Sequence, residues 1–324
     1  MKMTQIVALG ALAVGSFAAQ PAQAEGKLLM LLMGPTQDRL LSGFAQAVTA
    51  AADAKHMRVT LLTSPYDPAL QAQQIDDAIA QKPDMIILQP LSSKAVIPAL
   101  ERAKAAGVPV FLAVTPIDGR PDLYVGAVGL DDYRAGTLAA ECLIEALTKS
   151  GRKTANVAAI TGSLTEGTAP VRLAGFKDRL AKESWIKLVE VDDAQWNPQK
   201  TEAITGQLLA RSSANGGLDG IYGMNDAQAN AIIQAAEETD VTPGTGKDNL
   251  IVVGGSCWGS GIRNIKAGKQ YATLSGPVPS FDGSTTVENV STFLGGGSIP
   301  KLVVDRLEVV TAANLDRFTA PCSF

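Results

Sequence analysis

The sequence predicts an α/β protein built of two doubly wound parallel-sheet domains. Three observations carry this. Short apolar runs alternate with amphipathic stretches along the chain after residue 24. Several of these runs (LLMLLM, MIIL, LIVV) are continuous rather than alternating. The β–α alternation also passes through the chain twice. Continuous apolar runs are how strands covered on both faces read, and successive βα units build a parallel sheet. A length of 324 residues suits two domains of about 150 residues. The composition is 46% hydrophobic and 19% charged. That belongs to a folded chain, since disordered segments are polar and highly charged.

Residues 1–24 stand apart. Lys2 precedes an apolar, small-residue run over 6–19, then Pro21-Ala22-Gln23-Ala24, an A-x-A cleavage signal before Glu25. These are the parts of a secretory signal peptide. The run is too short for a membrane anchor of roughly 20 residues. The expected mature chain is exported and starts at Glu25.

Strand patterns follow at 28–33, 58–63, 85–89, 109–114 and 123–128, then at 156–161, 187–191, 220–223, 250–254 and 271–275. Helical patterns lie between them. The stretch 41–54 is Ala-rich with apolar residues at helical spacing. In 68–81, Leu70, Ile75 and Ile79 share one side. The stretch 95–106 stops at Gly107, and Pro109 opens the next strand. Helices over 133–149, 170–182, 200–212, 227–238 and 283–294 complete the set, the last followed by the loop Gly295-Gly296-Gly297.

Charge and rare residues narrow the function. Lys and Arg total 28 against 32 Asp and Glu, a net charge of −4. Nucleic acid or an anionic membrane as partner would call for a basic patch. One histidine, His56, and three cysteines leave no cluster for zinc. A Ser-His-Asp or Cys-His site would have to use His56. The carboxylates are scattered, with no motif for a two-carboxylate glycosidase. The expectation is a protein that is not an enzyme and uses no cofactor or metal.

Several segments, in order, resemble one family. They are KLLMLLM with its polar loop and helix, KPDMIILQPLSSKAVIPALERAKAAGVPVF, VGLDDYRAGTLAAE, RLAGF, GIYGMNDAQANAI, IVVGGS and LVVDRLEVVTAANLDRF. Together they resemble the periplasmic sugar-binding proteins of the ribose-binding type, with the type I periplasmic binding protein fold. The resemblance spans nearly the whole mature chain. It implies an N-terminal lobe of residues 25–129 plus 277–303 and a C-terminal lobe of 130–276 plus 304–324. A three-strand hinge would cross near 128–130, 276 and 303. It further implies a monomer in the periplasm that captures a sugar or polyol between the lobes and delivers it to the membrane permease of an ABC importer. Sheet geometry also places a ligand there, at the carboxyl ends of the strands. The alternative is a periplasmic sensor subunit presenting a sugar-like ligand to a chemoreceptor or kinase. The lac repressor family shares the fold, but needs a helix-turn-helix of about 50–60 residues in front, and here the first strand follows directly on residue 24.

The resemblance also marks candidate contacts. Asp38, beside Gln37, stands where the family commonly has Asn, with Leu40 and Leu41 in place of aromatics. A carboxylate accepts two hydroxyl hydrogen bonds or pairs a cation; Asp38 as a helix cap is the other reading. Thr115 falls where the ribose type has an Asp-Arg pair. Asp118 and Arg120 follow as exposed turn residues. The family's ligand-gripping Arg falls at Pro170. Arg172 matches a second Arg, in R-x-x-G-F, which braces a loop more often than it touches ligand. Thr165, Glu166 and Thr168 are possible replacements. Trp196 falls at a cleft-facing aromatic position, where an indole covers the C–H face of a sugar ring; Trp185 reads as packing. Asn225 is expected on the ligand and Asp226 as the cap of the next helix. Ser256 replaces a family Asp, Trp258 adds a second aromatic wall, and Gly276 takes a family Gln position. The charges lost at Thr115 and Pro170 point away from ribose, towards a neutral or mildly cationic ligand with several hydroxyls. In an oxidising compartment two of the three thiols can pair. Cys257 and Cys322 fall where hinge and tail should meet, and Cys142 reads as core. Three buried free thiols are the alternative.

Overall fold

The computed structural model describes residues 26–115, 117, 119–165, 167–275, 279–304, 306–320 and 322. The expected signal peptide, Asp118, Glu166 and Gly276 lie outside the described residues. The first half runs β1 (Leu28–Met33), α1 (Arg39–Ala54), β2 (Arg58–Thr63), α2 (Pro68–Ala80), β3 (Met85–Leu88), α3 (Ile97–Ala105), β4 (Val110–Val114) and β5 (Gly126–Gly129). There follow α4 (Asp132–Lys149), β6 (Ala155–Thr161), α5 (Thr168–Leu180), β7 (Ile186–Asp193), α6 (Pro198–Ser212), β8 (Gly220–Gly223) and α7 (Asp226–Glu238). The chain then forms β9 (Ile251–Val253), α8 (Gly259–Lys266), β10 (Ala272–Ser275), α9 (Pro279–Leu294), β11 (Val303–Val304) and β12 (Glu308–Thr311).

The strands make two six-stranded sheets, ordered β11-β5-β4-β3-β1-β2 and β12-β10-β9-β8-β6-β7. All neighbours are parallel except β10 and β12, which run antiparallel. Strand β1 shows why its sequence is continuously apolar. Leu29, Leu31 and Met33 pack with Phe44 and Val48 of α1 and Val287 and Val290 of α9. Met30 and Leu32 point to the other face, against Ile75 of α2 and Leu100 of α3. The second sheet repeats the plan. Val157 and Ala159 meet α4 and α5 through Leu143 and Phe176. Ala158 and Ile160 meet α6 and α7 through Leu208 and Ile232. Each such large apolar side chain contributes about 1.5–3 kcal/mol on burial.

The chain passes between the sheets three times: from β5 into α4, from β10 into α9, and from β11 into β12. Most elements lie where their patterns predict; β11 and β12 fall beyond the ten strand patterns, and three further differences occur. The expected strand over 123–128 is shorter and begins later: Leu123 closes a 3₁₀ turn, Pro121–Leu123, and β5 covers Gly126–Gly129. Pro121 has no N–H for the ladder. Helix α5 starts at Thr168, two residues before Pro170, because proline is tolerated within a first helical turn. Helix α8 has no counterpart in the pattern. It is eight residues long and carries Gly259 and Gly261. Cys257 and Cys322 are disulfide-bonded across 65 residues, and Cys142 is buried and free. No described helix is long and apolar enough to cross a membrane.

Candidate functional site

A cavity opens where the loops at the carboxyl ends of both sheets face each other. Asp38, Leu40, Leu41, Tyr66, Gln89, Val114, Thr115 and Leu130 line it from the first sheet's loops. Asp132, Thr168, Arg172, Trp196, Asn225, Ser256 and Trp258 line it from the second half. Seven of the eight sequence-predicted site residues therefore meet in one place. Gln37 does not: it is exposed and outside the lining.

Asp38 serves as the N-cap of α1 and faces the cavity as well. Its Oδ1 accepts hydrogen bonds from the amides of Leu40 (2.8 Å) and Leu41 (3.2 Å), and its Oδ2 accepts from the Tyr66 hydroxyl at 3.3 Å. Burial raises its carboxyl above the ordinary value, while these donors pull it down. Gln89 is buried, and its Oε1 accepts from the Gly34 amide at 2.9 Å. Val114 adopts φ +65°, a strained conformation for a β-branched residue. This turns buried Thr115 towards the other half, where its Oγ1 lies 3.1 Å from Oγ1 of Thr168.

Glycines bring α4 and α5 together. A Cβ on Gly136 would fall 1.8 Å from the carbonyl oxygen of Arg172, and one on Gly175 would fall 2.0 Å from that of Tyr133. Backbone contact therefore sets Asp132 beside Arg172. Asp132 Oδ1 accepts from Nη2 (2.6 Å) and Nε (3.1 Å) of Arg172, and Nη1 donates to the Met224 carbonyl at 2.9 Å. Both side chains are over nine-tenths buried. Arg172 thus braces the loop after β8, and its guanidinium carbon lies 5.7 Å from the centre of the Trp196 ring. The Trp196 indole rests on Gly162, where a Cβ would come within 1.9 Å of it. Trp185 packs against the second sheet's core and donates to Glu183 Oε2 at 3.1 Å.

The loops after β8 and β9 bring a correction. Asn225, not Asp226, is the N-cap of α7: its Oδ1 accepts from the Gln228 amide at 2.8 Å. No hydrogen bond from its Nδ2 occurs among the described residues, and the side chain lines the cavity. Asp226 is fully buried and holds the next loop. It accepts from the Trp258 amide (2.7 Å), Thr273 Oγ1 (2.8 Å) and Gln270 Nε2 (2.8 Å). Burial pushes its carboxyl up to about 7, against the pull of these donors. The held loop has Ser256 at φ +74° and Cys257 at φ +48°. It presents Ser256 and Trp258 to the cavity. The Trp258 indole N–H is buried and has no hydrogen-bond partner among the described residues. Of the further candidates, Thr168 lines the cavity, Thr165 is exposed outside it, and Arg120 pairs with Glu101 and Asp122. The sequence reading missed Tyr66, Gln89 and Asp132. The paired acids Asp131-Asp132 before a helix were a usable signal: Asp131 caps α4, which leaves the second acid for another role. No group of three His, Cys, Asp or Glu side chains suited to a metal occurs among the described residues.

Residues 30–296 match the periplasmic binding protein domain family, and the chain belongs to that family. It is a family of substrate-binding proteins of ABC transporters, which bind ligands without transforming them. The chain is 30% identical to the D-apiose import binding protein of Actinobacillus succinogenes over 202 residues. That match spans 61% of this chain and 63% of the relative, just under two thirds of its length. It is 23% identical to the ribose import binding protein of Bacillus subtilis, over 82% of this chain and 81% of the relative. Two solved structures show the same fold. A galactofuranose-binding protein superposes with a TM-score of 0.83 at 18% identity, covering 91% of this chain and 98% of its own. The Caulobacter myo-inositol-binding protein gives a TM-score of 0.82 at 20% identity, with coverages of 91% and 96%.

Proposed function

We propose that this is a periplasmic solute-binding protein that captures a sugar or polyol between its two lobes and delivers it to an ABC importer's permease. The observation that carries this reading is the cavity, where hydrogen-bonding groups from both sheets surround two indoles. Asp38 and Thr115 come from one side, and Asn225, Ser256 and Arg172 from the other. Trp196 and Trp258 supply the flat apolar faces that sugar rings pack on. The Asn225 Nδ2 amide offers a donor to ligand oxygens. The names of the relatives given above point to import of sugars. No observation favours the sensor role.

In the proposed arrangement residues 25–129 with 277–303 form one lobe and 130–276 with 304–324 the other. Ligand contacts from both lobes form together only when the lobes close, so binding shifts the population towards closure. The protein acts as an exported monomer starting at Glu25. Thr115 and Pro170 occupy the positions where ribose-type proteins carry charge, so ribose is not the best ligand. A thermal-shift screen of the exported protein against pentoses, hexoses, polyols and amino sugars tests this. A ligand at 100 times its Kd stabilises by about 2.7 kcal/mol. A clear shift with a member other than ribose is expected. A panel without any shift, or ribose leading it, would contradict the reading.

A further inference from the structure

The charge inventory of the cavity is unbalanced, and this deepens the sugar-or-polyol reading on which the inference rests. Among the described residues, Asp38, Asp132 and Arg172 are the carboxylates and cations of the lining. Arg172 directs two nitrogens to Asp132 and the third to a backbone carbonyl. That pair is neutral as a unit. Asp38 receives two amides and a phenol, all neutral donors, and it has no ion pair among the described residues. Among the described residues, one carboxylate therefore faces the cavity without a cation. A lobe closure that excludes water would leave it costly to bury.

The surroundings of Asp38 suit a cation. Tyr66, whose hydroxyl touches Asp38, and the indoles of Trp196 and Trp258 line the same cavity. Aromatic faces attract ammonium groups. An ammonium also has three N–H donors and no acceptor, which matches Asp38 Oδ2 beside a phenol oxygen. The hydroxyls of the ligand then meet Thr115, Ser256 and the Asn225 Nδ2 amide. We propose that the ligand is an aminated sugar or polyol whose ammonium group is held by Asp38.

Calorimetric titration of the exported full chain with matched pairs tests this: galactose with galactosamine, glucose with glucosamine, and myo-inositol with an aminodeoxyinositol. N-acetylated amines serve as uncharged controls. In at least one pair the amine should bind ten-fold or more tightly than its hydroxyl counterpart, and acetylation should remove the gain. Asp38→Asn keeps a capping oxygen of equal quality while removing the charge. It should reduce the amine-to-hydroxyl preference by ten-fold or more. Neutral members binding as tightly as their amines, with the ratio unchanged in Asp38→Asn, would overturn the amine assignment and leave the sugar reading intact. No binding by either member of any pair, in a chain shown to be folded by circular dichroism, would overturn the sugar reading itself.

Discussion

Asn225 carries two separable jobs, and substitution separates them. Its Oδ1 caps α7 through the Gln228 amide at 2.8 Å, and its Nδ2 is the proposed ligand donor. Losing an Asn cap to alanine costs about 0.5–2 kcal/mol of stability. Losing the donor leaves a ligand oxygen unsatisfied in a closed cleft, at about 1–3 kcal/mol. At 1.4 kcal/mol per tenfold, that weakens binding by roughly 5- to 150-fold. Asn225→Ala should therefore lower both the unliganded stability and the affinity. Asn225→Ser keeps a hydroxyl that caps about as well but has no amide. It should hold stability within about 0.5 kcal/mol while losing affinity over the same 5- to 150-fold range. Urea unfolding of the unliganded protein reads the first quantity, and calorimetric titration with the best ligand of the screen reads the second. Wild-type affinity in Asn225→Ser would refute the ligand role. Wild-type stability in Asn225→Ala would refute the cap.

Three further outcomes follow from the same structure. Cys257 lies between the cavity residues Ser256 and Trp258, so Cys322→Ser should cost roughly 2–4 kcal/mol of stability and also weaken binding; unchanged affinity in calorimetry would show that the bridge does not set that wall. Asp226 is raised from 3.8 to about 7 in the fold. The folded state then binds this proton more tightly than the unfolded, so the contribution of Asp226 to stability is greatest in acid and is lost as pH rises from about 4 to 7, by at most about 4 kcal/mol. In urea titrations at intervals over that window, the stability of the wild type relative to Asp226→Asn should decline as pH rises; a relative rise would contradict it. Trp196→Ala should weaken binding at least as much as Asn225→Ala, while Trp185→Ala leaves affinity nearly unchanged; the reverse order in calorimetric titration would remove the indole from the site.

The fold was legible because burial on both faces leaves a sequence mark. β1 and β3 read as uninterrupted apolar runs because helices cover them on each side. Helix α8 left no such mark. Its Gly261 is required by close packing, since a Cβ there would fall 2.3 Å from the Asp226 carboxylate. That is a tertiary constraint without periodicity. Position after a strand, read together with the family resemblance, pointed to Thr115, Trp196, Ser256 and Trp258. Position alone could not rank Asn225 against Asp226. Both are good capping residues, and the choice was made by the extended backbone of Asn225, φ −140° and ψ 170°. Gln37 was lost for the same local reason, since the loop gives the cap and the cavity to its neighbour. Tyr66 reaches the site from a left-handed turn at φ +50°. Asp132 meets its partner 40 residues away, a pairing no local pattern carries.

A crystal structure of the protein with the tightest ligand from the screen tests the cleft assignment most directly. The ligand should lie between Trp196 and Trp258, with polar contacts to Asp38 or Thr115 from the first sheet's loops and to Asn225 from the second. Ligand held elsewhere, or touched by residues of one sheet's loops alone, would contradict capture between the lobes.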